Sequence, residues 1–381
     1  MSKLSWIGLV LVLVFVAGCG QAVSPAGTVP ATGPTQAATS PDWQKKWDAT
    51  VAAAKQEGTV MIYGDVGPDL RREMENGFGK KFGIQMEFVV GKGAEISVRW
   101  EREHGAGIDA ADIFFTGGGT SVVGMKPRGA FAPVDKLFIL PEVTDPKGWP
   151  DGKIPYLDKD KMIVPMNAAW TAYTAINTDQ VKLSQITSYK DFLKPEWKDK
   201  IALYDPSITG AGGGFITLML TNVYGLEGGT AYLKQFAATQ PMITRDARLQ
   251  VEWVAKGKYP IGVGVTHSIV SEFKAIGAPI AFARFVEGGN INPGGGCLEV
   301  SPKPPHPNAT AILVNWLMSR EGQAAFSRGF GAPPVRIDAV KDIDPNDIAA
   351  PGEKAYWTDE AFYIMQGKAV VMAKDIFAGG R

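Results

Sequence analysis

Strand and helix patterns alternate along residues 43–116, and this alternation limits the folds open to the chain more than any other feature. An apolar stripe with a four-residue repeat starts at Trp43, as on one face of a helix, and Gly58 follows it. The strand-like run TVMIY at 59–63 comes next, then two further helical stripes with a strand between them, and then ADIFF at 111–115. Because strands connected through helices pair in parallel, the pattern predicts an α/β fold.

The same alternation returns between residues 166 and 285. Short apolar strands at 201–204 and 261–265 are separated by helical stripes, and helices are predicted later at 308–318 and 359–374. A chain of 381 residues exceeds the size of one ordinary core. We therefore expect two α/β domains.

The first residues have the composition of a targeting segment. Lys3 precedes the apolar run WIGLVLVLVFV at 6–16, which is too short for a helix that spans a membrane. The next residues complete the tetrad Val-Ala-Gly-Cys, which resembles a bacterial lipobox and ends at Cys19. We expect a signal peptide at 1–18 and lipidation of Cys19. A signal cleaved without lipidation, or an uncleaved anchor, would fit the same run.

Residues 19–41 carry no charge and are rich in Pro, Gly, Ala, Ser and Thr. Such a segment cannot bury enough apolar surface to offset the entropy of ordering. We predict a flexible tether, with the remaining chain held outside the cell membrane, on its periplasmic side or at the cell surface.

Charge and cysteine content exclude several classes of protein. Lys plus Arg and Asp plus Glu each number 39, so the chain is not a polybasic nucleic-acid binder. Cys19 and Cys297 cannot form a disulfide framework, and the three histidines are far apart with no metal-binding spacing. We therefore expect no metal and no cofactor. Cys297 reads as an inert buried thiol rather than a nucleophile.

Ligands of open parallel sheets bind beyond the carboxyl ends of the strands. Loops rich in glycine or hydroxyl residues follow four of the predicted strands here, and a guanidinium nearby could hold an anion. The candidate ligand residues are Gly64, Asp65, Thr116, Gly117, Gly118, Thr120, Thr209, Gly210, Arg245, Arg248, Thr266 and His267. The alternative is that the glycines make tight turns and that the arginines form surface ion pairs.

Several stretches, in their order and spacing, resemble the type II solute-binding proteins of bacterial ABC importers. They include AAKQEGTVMIYG at 53–64, ADIFFTGGG at 111–119, EWKDKIALYDP at 196–206 and PHPNATAILVNWLMSREGQ at 305–323. The resemblance lies near the group that binds ferric iron, phosphonates and other small anions.

The resemblance implies a two-lobed fold in which each lobe is a mixed sheet flanked by helices. The chain would cross between the lobes near 162–173 and back near 279–287, and these crossing strands would form the hinge. Lobe 1 would comprise 42–165 and 286–381, and lobe 2 would comprise 166–285. A monomer would capture a small solute in the cleft and deliver it to a permease with its ATPase. Such a protein is not an enzyme and binds no nucleic acid.

One departure from the family pattern bears on the ligand. Ferric-binding members carry an adjacent tyrosine pair where this chain has Val265-Thr266-His267-Ser268. Neutral hydrogen-bonding groups and an arginine suit a phosphonate or organic oxyanion better than a bare metal.

Three alternatives remain open. The first is iron bound through Asp65, Glu95 or Tyr173. The second is a secreted enzyme that uses Cys297. The third is a ligand sensor for a membrane receptor.

Overall fold

The computed structural model describes residues 41–294 and 296–378. The predicted signal peptide, the predicted lipidation site Cys19 and the tether up to residue 40 lie outside the described residues. Within the described ranges, no helix is both long enough and apolar enough to cross a membrane.

The helical stripes of the sequence form α-helices with nearly the expected bounds. α1 ends at Gly58, whose positive φ of 72° gives the left-handed cap that glycine adopts without strain. In the described part of the chain the α-helices are α1 (Asp42–Glu57), α2 (Pro68–Met74), α3 (Lys80–Phe82), α4 (Gly93–Gly105), α5 (Pro141–Thr144), α6 (Ala211–Leu218), α7 (Gly225–Ala238), α8 (Ala247–Ala255), α9 (His267–Ala275), α10 (Pro307–Met318), α11 (Arg320–Phe330) and α12 (Glu360–Ile376).

The strands are short and mostly buried. They are β1 (Thr59–Gly64), β2 (Gln85–Val90), β3 (Ile113–Thr116), β4 (Val164–Pro165), β5 (Ala169–Thr171), β6 (Thr174–Asn177), β7 (Ile201–Tyr204), β8 (Met242–Thr244), β9 (Ile261–Val263), β10 (Ile280–Phe282), β11 (Gly289–Asn292), β12 (Cys297–Val300) and β13 (Ala355–Trp357).

One five-stranded sheet, in the order β2-β1-β3-β12-β4, forms the centre of what we call lobe 1. β1 pairs in parallel with β2 and β3, whereas β12 runs antiparallel to β3 and β4. One face of the sheet packs on Phe78, Trp316 and Phe326, and the other face packs on Trp100 and Tyr363. Both faces are therefore covered, as expected for a sheet with crossover helices.

The second five-stranded sheet, in the order β10-β6-β9-β7-β8, forms the centre of lobe 2. β7 is parallel to β8 and β9, and β6 is antiparallel to β9 and β10. Its largest core contains Tyr189, Phe192, Phe215 and Phe236, whose rings meet at centroid distances between 5.8 and 6.5 Å. The strand pattern of residues 166–285 predicts β7, β9 and β10 of this sheet, but not β6 or β8.

A third sheet has the order β13-β11-β5. β5 and β11 lie between strands of the two larger sheets in sequence, and β13 follows all of them. β5 and β11 pair antiparallel, with Trp170 opposite Ile291. These strands lie within or directly after the predicted crossings at 162–173 and 279–287. The lobe boundaries themselves remain predictions.

The parallel pairing expected from the sequence holds only for part of each large sheet. β12 lies antiparallel in the middle of the lobe 1 sheet, although the sequence reading gave no strand there. β6 and β10 are likewise antiparallel in lobe 2. The mixed α/β architecture with helices on the sheets is confirmed.

Candidate functional site

The predicted ligand loops of lobe 1 lie side by side at the carboxyl ends of β1 and β3. Gly64 pairs with Phe115, and the Asp65 amide donates to the Phe115 carbonyl at 3.2 Å. A Cβ on Gly64 would lie 2.3 Å from that carbonyl oxygen. Gly64 is thus required for the close approach of two strands, whatever ligand binds nearby.

In the segment around the end of β3, some of the predicted ligand residues are partly exposed and others are buried. Gly117 and Thr120 are partly exposed, whereas Thr116 is buried beneath them. Gly118 is also buried, and a Cβ there would lie 2.4 Å from the ring of Tyr363 in α12. Of the predicted residues in this loop, only Gly117 and Thr120 are therefore open to a solute.

Asp65 is half exposed and forms an ion pair with Lys92, with 2.8 Å between Oδ2 and Nζ. Lys92 lies directly before α4 and its side chain is 77% exposed. Thr120 lies close to the same turn, since a Cβ on Gly93 would come within 2.5 Å of its hydroxyl. Asp65, Lys92 and Thr120 therefore form one polar edge of lobe 1. Sequence reasoning missed Lys92.

The lobe 2 loops meet in the same way, because β8, β7 and β9 are parallel neighbours. Asp205 follows β7, Arg245 follows β8 and Thr266 follows β9. Thr209 and Gly210 are exposed directly before α6, and Thr266 is partly exposed. The first amide groups of α6 have no acceptor within the helix, as at any helix N-terminus.

Asp205 holds Arg245 at this edge. Asp205 Oδ2 accepts from Arg245 Nε at 2.8 Å, and Oδ1 accepts from the Ser207 amide at 2.8 Å and from its hydroxyl at 2.6 Å. Burial alone would raise the pKa of Asp205, but the bonds from Ser207 and Arg245 outweigh it and lower the pKa. The carboxylate is therefore charged and fixes the guanidinium.

Arg245 remains accessible although it is paired. Its side chain is 66% exposed, and the hydrogen bond to Asp205 occupies Nε only. The planar end with Nη1 and Nη2 can still donate two bonds to an oxyanion. The sequence reading identified Arg245 but missed Asp205, whose position at the end of a buried strand was the available signal.

Arg248 and His267 have partners elsewhere. Arg248 Nη1 donates to Glu272 Oε2 at 2.8 Å across α8 and α9. His267 Nε2 lies 2.6 Å from Asp347 Oδ1, and its ring stacks on Phe282 with centroids 4.3 Å apart. Both side chains are thus engaged in contacts away from the strand ends. Of Arg245 and Arg248, only Arg245 lies with the loops at the carboxyl ends of the lobe 2 strands.

A buried carboxyl lies below the β3 loop and was not predicted. Glu299 on β12 is fully buried, and its Oε1 lies 2.5 Å from Ser121 Oγ and 3.2 Å from Thr116 Oγ1. Its Oε2 has no hydrogen-bond partner among the described residues. Burial raises the pKa of Glu299 well above 4.5, against the opposing effect of the two hydroxyls. Burial thus favours the protonated, neutral form of Glu299.

We expect Glu299→Gln to remove a pH-dependent loss of stability. Because the folded state keeps the proton and the unfolded chain releases it, stability contributed by this group is full below the unfolded pKa. It falls as the pH rises above about 4.5, by at most about 1.4 kcal/mol per pH unit. Urea unfolding of both proteins at several values between about pH 5 and 8 measures the difference. Parallel pH profiles would contradict a neutral Glu299.

The residues considered for iron do not converge on one point. Glu95 accepts from the Lys92 amide at 2.9 Å, and Tyr173 is buried with its hydroxyl accepting from Asn290 and Asn292. Burial raises the pKa of Tyr173, which opposes formation of a phenolate. Within residues 41–294 and 296–378, no group of three His, Cys, Asp or Glu side chains is placed to hold a metal.

Cys297 does not have the surroundings of a nucleophile. It is fully buried. Burial is the main cause that raises the pKa of its thiol well above 9, and the neighbouring Glu299 is the second cause. A reactive cysteine needs a lowered pKa and access to solvent.

His306 has a structural role, since its Nδ1 lies 2.8 Å from buried Asp112.

The sequence matches a known protein family. Residues 109–363 match the family described as bacterial extracellular solute-binding protein.

Solved structures share the fold at low sequence identity. The iron- and citrate-bound IdiA (FutA) of Trichodesmium is 19% identical with a TM-score of 0.68, and the alignment covers 84% of this chain and 99% of that one. AfuA of Actinobacillus pleuropneumoniae with bound fructose-6-phosphate is 17% identical with a TM-score of 0.63, at 84% and 99% coverage. Iron-bound HitA of Pseudomonas aeruginosa is 16% identical with a TM-score of 0.64, again at 84% and 99% coverage. The two-lobed fold of periplasmic binding proteins is thus confirmed.

Proposed function

Because the chain belongs to the bacterial extracellular solute-binding protein family, we propose that it captures a small anionic solute between its lobes for an ABC permease. The solute would be a phosphonate, a phosphate ester or an organic oxyanion. The observation that carries this proposal is Arg245, held by Asp205 at the strand ends of lobe 2 with the outer face of its guanidinium accessible. Binding proteins of this type perform no covalent chemistry.

The other polar groups of the two edges support the same class of ligand. Thr209 and Gly210 precede α6, whose first amides can donate to an oxyanion. Thr120 and Gly117 offer a hydroxyl and a backbone amide from lobe 1. Since basic and acidic residues are equal in number, long-range attraction contributes little. Selectivity for an anion would come from these local donors.

We also propose the remaining parts of the delivery system. Cys19 would carry the lipid that anchors the protein to the membrane, with residues 20–41 as the tether. Buried acyl methylenes supply about 0.8 kcal/mol each to such an anchor. The protein would act as a monomer whose closed form docks on the permease and its ATPase.

A thermal-shift panel tests the ligand class. We expect phosphate, a phosphonate, citrate or fructose-6-phosphate to raise the melting temperature, and a neutral sugar to leave it unchanged. A ligand at 100 times its Kd stabilises the folded state by about 2.7 kcal/mol. Stabilisation by the neutral sugar alone, or by none of a broad set of anions, would contradict the proposal.

An iron complex is the second candidate, because structural neighbours were solved with iron or with iron and citrate. Citrate would supply carboxylate ligands to the iron and present an anion to Arg245, so no protein phenolate is required. Adding ferric citrate beside citrate in the panel separates the candidates. A shift and a visible absorption band with ferric citrate alone would favour the iron complex.

A further inference from the structure

The last helix, α12, joins the interiors of both lobes. At its start, Phe362 and Tyr363 are buried in the lobe 1 core that covers one face of the β1–β3 sheet. Glu360 binds Lys126, whose Nζ lies 2.8 Å from Glu360 Oε1, 2.8 Å from Asp158 and 2.9 Å from Asp160. The first turn of α12 is therefore fixed to lobe 1 by packing and by an ion cluster.

The second half of α12 packs in the core of lobe 2. Ala369, Ala373 and Phe377 are buried in the core that contains Phe215 and Phe236. The rings of Phe236 and Phe377 meet edge to face at 6.2 Å. One continuous helix is thus buried at its two ends in two different cores.

Gly367 lies between these two halves. It is exposed, and a Cβ added there would have no atom within 4 Å, so neither packing nor backbone conformation requires a glycine. Glycine inside a helix weakens it by about 1 kcal/mol relative to alanine. The preceding residue, Gln366, approaches Gly119 of lobe 1 and Gly213 of lobe 2. Met365 already packs on the lobe 2 core, so the weakest point of α12 lies two residues beyond the first contact with lobe 2 and before the buried Ala369.

We propose that α12 is a third connection between the lobes and that Gly367 is its hinge. Two crossing strands can rotate about a shared axis, but a rigid helix buried in both lobes would oppose that rotation. A glycine between the two anchored halves lets the helix bend while both halves stay buried. This inference requires lobe movement and is independent of which solute binds.

The test compares Gly367→Ala with Gly228→Ala, an exposed glycine inside α7, which lies wholly in lobe 2. Spin labels at Arg102→Cys in α4 and Lys234→Cys in α7 report the distance between the lobes. The full chain carries Cys19→Ser, and Cys297 is buried. Bending of α12 would give label-to-label distances that differ from the distance in the straight-helix form. Without added solute, Gly367→Ala should reduce the fraction of molecules with such distances by about fivefold. Gly228→Ala should leave the distribution unchanged.

The proposal would be overturned if wild type and Gly367→Ala had identical distributions of label-to-label distance. It would also be overturned if Gly228→Ala narrowed that distribution as much as Gly367→Ala does. Hydrogen exchange in the wild-type chain gives a second readout that needs no variant. The amides just after Gly367 should exchange faster than those just after Gly228. Equal protection at both places would also overturn the proposal. Failure to bind any anion in the thermal-shift panel would leave these outcomes unaffected, so the two proposals fail separately.

Discussion

Replacing Arg245 with methionine should weaken binding of the best anion in the thermal-shift panel by about two orders of magnitude. Methionine keeps part of the apolar stem but removes every donor of the guanidinium. Two charge-assisted hydrogen bonds to an oxyanion contribute about 3 kcal/mol together, and each 1.4 kcal/mol is a factor of ten in Kd. Isothermal titration calorimetry of the two proteins measures the change.

Arg248→Met is the matched control. The two side chains are 66% and 64% exposed, and each has one carboxylate partner, but Arg248 is bound to Glu272 between two helices. We expect its loss to change Kd by less than a factor of about three, as for a surface ion pair. Equal losses in both variants, or a loss only in Arg248→Met, would show that the anion lies elsewhere.

Asp112→Ala should lower the free energy of unfolding by about 3–5 kcal/mol. The buried carboxylate accepts from the Met61 amide at 2.7 Å, the His306 amide at 2.8 Å and Thr310 Oγ1 at 3.0 Å, and it contacts His306 Nδ1 at 2.8 Å. It thereby connects β1, β3 and the start of α10. Alanine would leave the buried Thr310 hydroxyl and the partly buried amides of Met61 and His306 without this acceptor, which is costly for polar groups inside the fold.

Urea unfolding monitored by tryptophan fluorescence measures this loss. Asp69→Ala is the control, because Asp69 pairs with Arg72 on the surface and its side chain is 68% exposed. That change should alter stability by no more than about 0.5 kcal/mol. A loss below about 1 kcal/mol for Asp112→Ala would mean that water replaces the carboxylate at this site.

Most of the longer helices and about half of the described strands could be predicted because their signals are local. The four-residue apolar repeat and Gly58 define α1, and the run IALY at 201–204 is β7 as predicted. Glycine after a helix and a short buried apolar run each have a direct physical cause in their own segment. The two-lobed arrangement came from the family resemblance rather than from these patterns.

The unpredicted features depend on partners distant in sequence. Asp205 and Arg245 are 40 residues apart and meet only because β7 and β8 are neighbours. β12 alternates Cys297 and Glu299 on one face with Leu298 on the other, but a carboxylate at a core position contradicts the usual strand pattern. Only the hydroxyls of Thr116 and Ser121, from a different strand end, explain how Glu299 is accommodated.

The role of the predicted glycines also depends on neighbours that are distant in sequence. Gly64 and Gly118 were assigned to a ligand loop because glycine exposes backbone amides. In the structure both have an additional cause, since a Cβ would collide with Phe115 at one and Tyr363 at the other. Sequence identifies a glycine that matters but does not say whether a ligand or a neighbouring strand or helix requires it.

The position of β12 has a consequence for how the chain acquires its structure. β12 pairs with β3 and β4 in the middle of the lobe 1 sheet, although it is separated from β3 by more than half of the described chain. A chain that emerges N-terminus first exposes the unpaired edge of β3 until residues 297–300 arrive, and contacts of long sequence separation slow folding. The lobe 2 core in turn includes residues of α12. Both lobes therefore complete their cores late, and a truncated chain would present open sheet edges to chaperones or to aggregation.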